Sequence, residues 1–195
     1  LPDYGKLARL NLDDLKAGAR IVVDKNKRNP FDFVLWFTKS KFEKQALSWD
    51  SPWGRGYPGW HIECAAMSMK YLGEHFDIHT GGIDHIPIHH TNEIAEAEGA
   101  TGKKWVNYWL HNEFLVIAKN KDSDEASGKM SKSKGNFLTL QRLMDRGYSA
   151  LDYRFFLIGA HYRSQVAFSW EAMNSAKQAR EALIKRVAKV LDVAG

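Results

Sequence analysis

The sequence of 195 residues is poor in cysteine and has no long apolar run. Its one cysteine, Cys64, cannot form an internal disulfide, which predicts a reducing compartment. No apolar stretch approaches the roughly 20 residues that a membrane-spanning helix needs. Residues 1–18 have the pattern of neither a secretory signal nor an Arg-rich transit peptide. These absences predict a cytoplasmic protein with no membrane partner.

The overall composition is that of a globular protein with a mild excess of positive charge. Hydrophobic residues make up 44% and charged residues 26% of the chain. Lysine and arginine number 28 against 23 acidic residues, which gives a net charge of +5. This excess suits a polyanionic partner, such as a nucleic acid or a nucleotide, without specifying one.

Apolar periodicity predicts strands that alternate with helices, followed by helices alone. The strands are predicted in "FVLWF", "FDIHTGG" and "VNYWLHNEFLVIAK", and the helices in "WHIECAAMSMKYLG", "TNEIAEAEGATG", "TLQRLMDRG", "SALDYRFFLIGA" and residues 169–194. Residues 119–136 show neither period and are predicted to form a mobile surface loop. The sequence therefore predicts an α/β layer followed by a helical region.

A metal site is suggested by the stretch "DHIPIHHTNEIAEAEG". His89 and Glu93 are four residues apart and would share one face of a helix, while Cys64 could supply a thiolate. Thiolate, imidazole and carboxylate are all accepted zinc ligands. Six of the eight histidines also fall within 30 residues. The alternative is a helix start with exposed histidines and an inert, buried cysteine.

Two further stretches are candidates for nucleotide binding. "GKMSKSKGN" places Lys129 and Lys132 on the predicted loop, where they could close over a polyphosphate; the alternative is a solvated basic loop. "FDIHTGGID" runs from a strand into a turn, where Gly82 lets the backbone approach a nucleotide and Asp84 could accept from ribose hydroxyls. The alternative is an ordinary turn. Trp60 could wall a small pocket, or could simply belong to the core.

Taken together, five strings resemble the cysteinyl-tRNA synthetases, a family of class I aminoacyl-tRNA synthetases. They are "SPWGRGYPGWHIECAAMS", "DIHTGGID…HHTNEIA", "NYWLHNEFLV", "KMSKSKGNF" and "YRFFLIGAHYRSQVAFS", in the family's order. The resemblance implies the second half of a class I synthetase Rossmann-like catalytic domain, followed by helices. It implies three segments: the end of a connective insertion and the approach to the second Rossmann half (1–58), that half with the zinc site and the KMSKS loop (59–140), and a helical region (141–195).

The same resemblance implies ATP-dependent attachment of cysteine to tRNA(Cys) through a cysteinyl-adenylate, with Zn²⁺ bound and Mg²⁺ accompanying ATP. It assigns the metal to Cys64, His89 and Glu93, with the substrate thiol on the zinc. It assigns the amino-acid pocket to Trp60, and the substrate amino group and adenosine to His79, Gly82 and Asp84. ATP binding and stabilisation of the pyrophosphate leaving group fall to Lys129 and Lys132.

The sequence also departs from the family pattern. The HIGH-type sequence and the preceding cysteine, which is the fourth zinc ligand in the family, are absent from the chain. Ile88 and Thr91 replace the commoner residues of the histidine motif. These departures predict a fragment whose partner is the N-terminal half of the same enzyme. Two alternatives stay open: a non-catalytic zinc- and RNA-binding paralogue, or a cysteine:amino-sugar ligase of the mycothiol type.

Overall fold

A computed structural model of the chain describes residues 3–10, 27–29, 31–40, 47–118 and 139–194, with side chains through 192. The chain forms two compact units, Leu1–Leu110 and His111–Gly195. Helices and small sheets occur in an α/β arrangement, as the sequence predicts. Lys129 and Lys132 lie outside the described residues. Within the described parts of the chain, no helix has the length and apolar character that crossing a membrane requires.

The first unit is built on two helices and two small sheets. Its elements are β1 (Trp36–Phe37), β2 (Tyr57–Pro58), α1 (Trp60–Leu72), β3 (Phe76–Gly82), α2 (Thr91–Thr101) and β4 (Val106–Asn112), the last of which runs on into the second unit. β1 pairs with β2 in antiparallel fashion, and β3 pairs with β4. The predicted strand "FVLWF" is therefore reduced to its last two residues.

Glycine ends both helices of the first unit. Gly73 follows α1 with φ of 90°, and its N–H donates to the Met69 carbonyl oxygen. Gly102 follows α2 in the left-handed conformation with φ of 68°, and its N–H donates to the Glu98 carbonyl oxygen. Residues with a Cβ rarely adopt these angles, so glycine provides the stop signal for each helix.

The connection from β3 to α2 consists of helical turns of unusual pitch. A 3₁₀ turn spans Ile83–His85, and a π-helical turn spans Ile86–His90, directly before α2. The Thr91 hydroxyl donates to the Ile86 carbonyl oxygen at 2.8 Å across the junction. The predicted helix does begin at Thr91, but His89 lies in the π turn, a feature that is frequent at functional sites.

The core of the first unit lies between α1 and α2. Ala65 and Ala97 are 1% and 0% exposed, and they are packed with Trp105 and Val106 at the start of β4. Small side chains at the contact let two helices approach closely. This packing fixes Cys64, the neighbour of Ala65, against the first turns of α2.

The second unit combines helices with one short parallel pair of strands. Its elements are β5 (Leu115–Ile117), α3 (Leu140–Asp145), α4 (Ala150–Ile158), β6 (Val166–Phe168) and α5 (Trp170–Ala194). β5 and β6 are parallel, and Leu115 pairs with Val166. The apolar patterns predict only helices over residues 141–195; they miss β6, because three residues are too few to show a strand period. The core contains Leu143, Tyr148, Phe168 and Met173.

Candidate metal centre

The structure brings together the three residues that the sequence predicts as metal ligands. Cys64 lies in α1, His89 in the π-helical turn and Glu93 in the first turn of α2. Their ligand atoms all lie within 4.8 Å of one another. One thiol, one imidazole and one carboxylate from three turns of helix thus point at a common centre, all within the first unit.

The Glu93 carboxylate is the most buried part of this group. Its side chain is 0% exposed, with Oε1 3.0 Å from His89 Nε2 and Oε2 3.2 Å from His79 Nε2. Within the described residues, neither oxygen accepts a hydrogen bond of good geometry. A buried carboxylate is costly unless a cation or hydrogen-bond donors compensate it. The site therefore fits a bound metal cation.

A second group of potential ligands shares the same carboxylate. His79, His90 and Glu93 also have ligand atoms within 4.8 Å of one another. His90 is 1% exposed, and its Nε2 lies 4.0 Å from Glu93 Oε2. A Cβ on Gly81 would lie 2.5 Å from His90 Cε1, so glycine is needed for this close packing. The two groups are not independent, because each uses Glu93.

The electrostatics of the histidines favour the neutral rings that metals bind. Burial lowers the pKa of both His61 and His89, and the opposing effect of the Glu93 charge does not outweigh it. His61 Nδ1 lies 2.7 Å from His89 Nδ1. A neutral imidazole keeps one ring nitrogen without a proton, which is the form that coordinates zinc.

The pKa of the Cys64 thiol is shifted in the opposite direction to the pKa values of His61 and His89. Burial, and next the negative charge of Glu93, raise the pKa of Cys64. The metal-free site therefore holds a protonated thiol. Because a coordinating thiol must lose its proton, a metal ion bound here would release that proton, and its affinity would fall as the pH falls.

The remaining predicted site residues lie around this centre in different ways. Trp60 is 71% exposed, and its ring lies 5.6 Å from the His89 ring. His79 lies at the Glu93 carboxylate, as given above. Asp84 is exposed in the 3₁₀ turn, and a Cβ on Gly82 would lie 2.5 Å from its Oδ1. Glycine at position 82 thus lets the Asp84 carboxylate fold back over the backbone.

Sequence reasoning gave no role to His61 or His90, although both lie in the centre. Each directly adjoins a residue that was singled out: His61 follows Trp60, and His90 follows His89. The density of histidines between residues 61 and 90 was the available signal. It could not say which rings face the carboxylate, because that depends on how α1 packs against α2.

Comparison with known protein families identifies the class of protein to which the chain belongs. Residues 1–178 match the family described as tRNA synthetases class I (C) catalytic domain, and the chain belongs to this family. The resemblance stated from the motifs is thereby confirmed.

Similarity to particular proteins is also high. The chain is 72% identical to the cysteine–tRNA ligase of Treponema denticola over 191 residues, 98% of this chain. It is 51% identical to that of Treponema pallidum (strain Nichols) over 99% of the chain, and 48% identical to that of Borrelia garinii subsp. bavariensis over 94%. The chain spans only 37% to 40% of the length of these relatives.

Proposed function

We propose that the chain carries the cysteine-binding metal centre and the ATP-site lysines of a cysteine–tRNA ligase. The reaction is ATP-dependent: cysteine attacks the α-phosphate of ATP, pyrophosphate leaves, and tRNA(Cys) then accepts the cysteinyl group. The chain supplies the second half of the Rossmann-like catalytic domain, with segments 1–58, 59–140 and 141–195 as assigned from the sequence. The N-terminal half of the same catalytic domain is its partner.

The observation that carries this proposal is the meeting of Cys64, His89 and Glu93 within 4.8 Å. Their donor atoms match the preferences of Zn²⁺, and three protein ligands leave one position of a tetrahedral site open. In the family, that position belongs to a further cysteine or to the substrate. Support also comes from the Glu93 oxygens, which are buried and accept no hydrogen bond from the part of the chain that the structure describes.

When bound, zinc would supply selectivity, because it binds a thiol far better than the hydroxyl of serine. The chain's own residues shape the rest of the pocket. The exposed Trp60 ring, 5.6 Å from His89, walls the place where an amino acid would lie. His79, held at Glu93, is the residue that we assign to the substrate amino group.

The nucleotide is assigned to the turn after β3 and to the KMSKS lysines. Gly82 and Asp84 contact the adenosine, with the Asp84 carboxylate accepting from ribose hydroxyls. Lys129 and Lys132 neutralise the pyrophosphate as it leaves, together with Mg²⁺. This part of the proposal rests on the family motifs.

The proposal is tested by metal content and amino-acid selectivity. We expect one zinc ion per chain by elemental analysis after dialysis, and calorimetric binding of cysteine but not of serine. Cys64→Ser should lose both properties. Met67→Ala, an exposed change in the same helix, should keep both. Wild-type zinc content in Cys64→Ser would refute the metal assignment.

The two alternatives left open by the sequence gain no support from the relatives named above, all of which are cysteine–tRNA ligases. An acceptor assay separates them from the proposal. Transfer of cysteine to an amino-sugar in place of tRNA would favour the mycothiol-type ligase. RNA binding without cysteine-dependent use of ATP would favour the non-catalytic paralogue.

A further inference from the structure

A close contact joins two histidine rings beside the metal centre. His61 Nδ1 lies 2.7 Å from His89 Nδ1, and the ring centroids are 4.8 Å apart. Two ring nitrogens at this distance require one proton between them, so one nitrogen donates and the other accepts. The contact therefore links the proton positions of the two rings.

The other nitrogen of His89 decides which ring donates. His89 Nε2 lies 3.0 Å from Glu93 Oε1 and so faces the ligand group, whereas Nδ1 faces His61. A nitrogen that binds a metal must carry no proton, so a metal-binding His89 keeps its proton on Nδ1. His89 is then the donor and His61 Nδ1 the acceptor.

His61 is itself held in place by aromatic rings. The Trp60 ring is nearly parallel to it, at 6° with centroids 6.5 Å apart, and the Phe33 ring meets it edge-on at 6.1 Å. These contacts restrict the rotation of the imidazole. The acceptor nitrogen of His61 is thus presented to His89 in a fixed direction.

We propose that His61 is the positioning residue of the metal centre: its Nδ1 accepts the His89 N–H and thereby aims His89 Nε2 at the metal. The proposal rests on the proposed metal-binding function of His89. Metal-bound histidines commonly donate their second N–H to a neighbouring acceptor, and loss of that acceptor typically lowers metal affinity about 10–100-fold.

The test uses Co²⁺ as a spectroscopic probe in the full chain. Affinity is measured by competition with a chelator, and the visible bands report the geometry of the ligands. His61→Phe keeps an aromatic ring beside Trp60 and Phe33 but removes the acceptor, so Co²⁺ affinity should fall about 10–100-fold and the bands should shift. His61→Asn places Oδ1 near the position of Nδ1, so it should restore most of the affinity and the bands.

A matched control is His75→Phe, because the His75 ring has its own partner, the Lys104 carbonyl oxygen, 2.8 Å from Nδ1. It should leave both readouts unchanged. A second measurement needs no variant: ¹⁵N NMR of the histidine rings in the chain loaded with diamagnetic Zn²⁺ should find the proton of His89 on Nδ1 and that of His61 on Nε2.

The outcomes separate this proposal from the function on which it rests. If the wild-type chain binds no Co²⁺, the metal site and the role of His61 both fall. If the wild type binds Co²⁺ and His61→Phe binds it equally well, only the positioning role is overturned. The opposite tautomers in the NMR spectrum would overturn it as well.

Discussion

Replacing Glu93 by glutamine should change the metal-free and the metal-bound protein in opposite directions. In the metal-free protein Glu93 Oε1 lies 3.0 Å from His89 Nε2, and neither carboxylate oxygen accepts a hydrogen bond from the described residues. A charged carboxylate that is buried without hydrogen bonds is costly in free energy. Glutamine has the same shape but carries no charge, so burying it costs less.

The size of the effect follows from burial. Leaving a buried polar group unpaired costs about 1–3 kcal/mol, and the cost is larger for a charged group than for a neutral amide. We therefore expect Glu93→Gln to stabilise the metal-free chain by about 2 kcal/mol, which corresponds to roughly 4–8 °C in Tm for a chain of this length. In the wild type, free metal at 100 times the Kd should add about 2.7 kcal/mol of stability, and the variant should lose that response.

Thermal unfolding with chelator, and again with Zn²⁺, measures both effects. Glu63→Gln is the control, since this exposed carboxylate in α1 should change neither Tm. A lower Tm for metal-free Glu93→Gln would refute the argument that the buried carboxylate destabilises the metal-free protein. A variant that Zn²⁺ still stabilises as strongly as the wild type would refute Glu93 as a ligand.

Three further predictions concern other residues. Burial, and next the Glu93 charge, raise the pKa of Glu96 from 4.5 to about 7. Its contribution to stability is therefore fully present below pH 4.5 and is lost as the pH rises to about 7. In metal-free protein the free energy of unfolding should fall over that range, and urea titrations of Glu96→Gln should show a smaller fall. Asp152 is 1% exposed and accepts from Arg180 Nε at 2.7 Å, so Asp152→Ala should cost about 3–5 kcal/mol in urea unfolding, against almost nothing for the exposed Asp145→Asn. Lys132→Ala should keep the wild-type zinc content and, in the complete enzyme, slow cysteine-dependent ATP–pyrophosphate exchange; an unchanged rate there would reject the assigned role of Lys132.

The sequence predicts the helices and most of the strands that position the centre, because their signals are local. α1 and α2 are each followed by a glycine, and β3 ends with two glycines before a 3₁₀ turn. The four-residue spacing also predicts that His89 and Glu93 lie near each other, even though the junction of the π turn and α2 lies between them. Both turns wind in the same direction, so the two side chains stay close despite the change of pitch.

The sequence identifies Cys64 as a possible ligand only by its residue type. Cys64 lies 25 residues before His89 and comes close to it only through the packing of the helices. The same holds for His61 and His79, which approach the metal ligands from α1 and from β3. No periodicity encodes a contact between two helices or between a strand and a helix. The resemblance to a known family identifies the three candidate ligands. Which histidine rings surround them can be seen only in the folded chain.

The metal-free centre is unfavourable for stability. It buries an acidic side chain, and neither Glu93 oxygen accepts a hydrogen bond from the described residues. The packing of Ala65 and Ala97 between α1 and α2 can offset such costs, because the core does not depend on the polar group. A site held together by its apolar neighbours keeps its ligands in place before the ion arrives. Binding of a metal ion would then offset the cost of the buried carboxylate and would spend little free energy on ordering the chain.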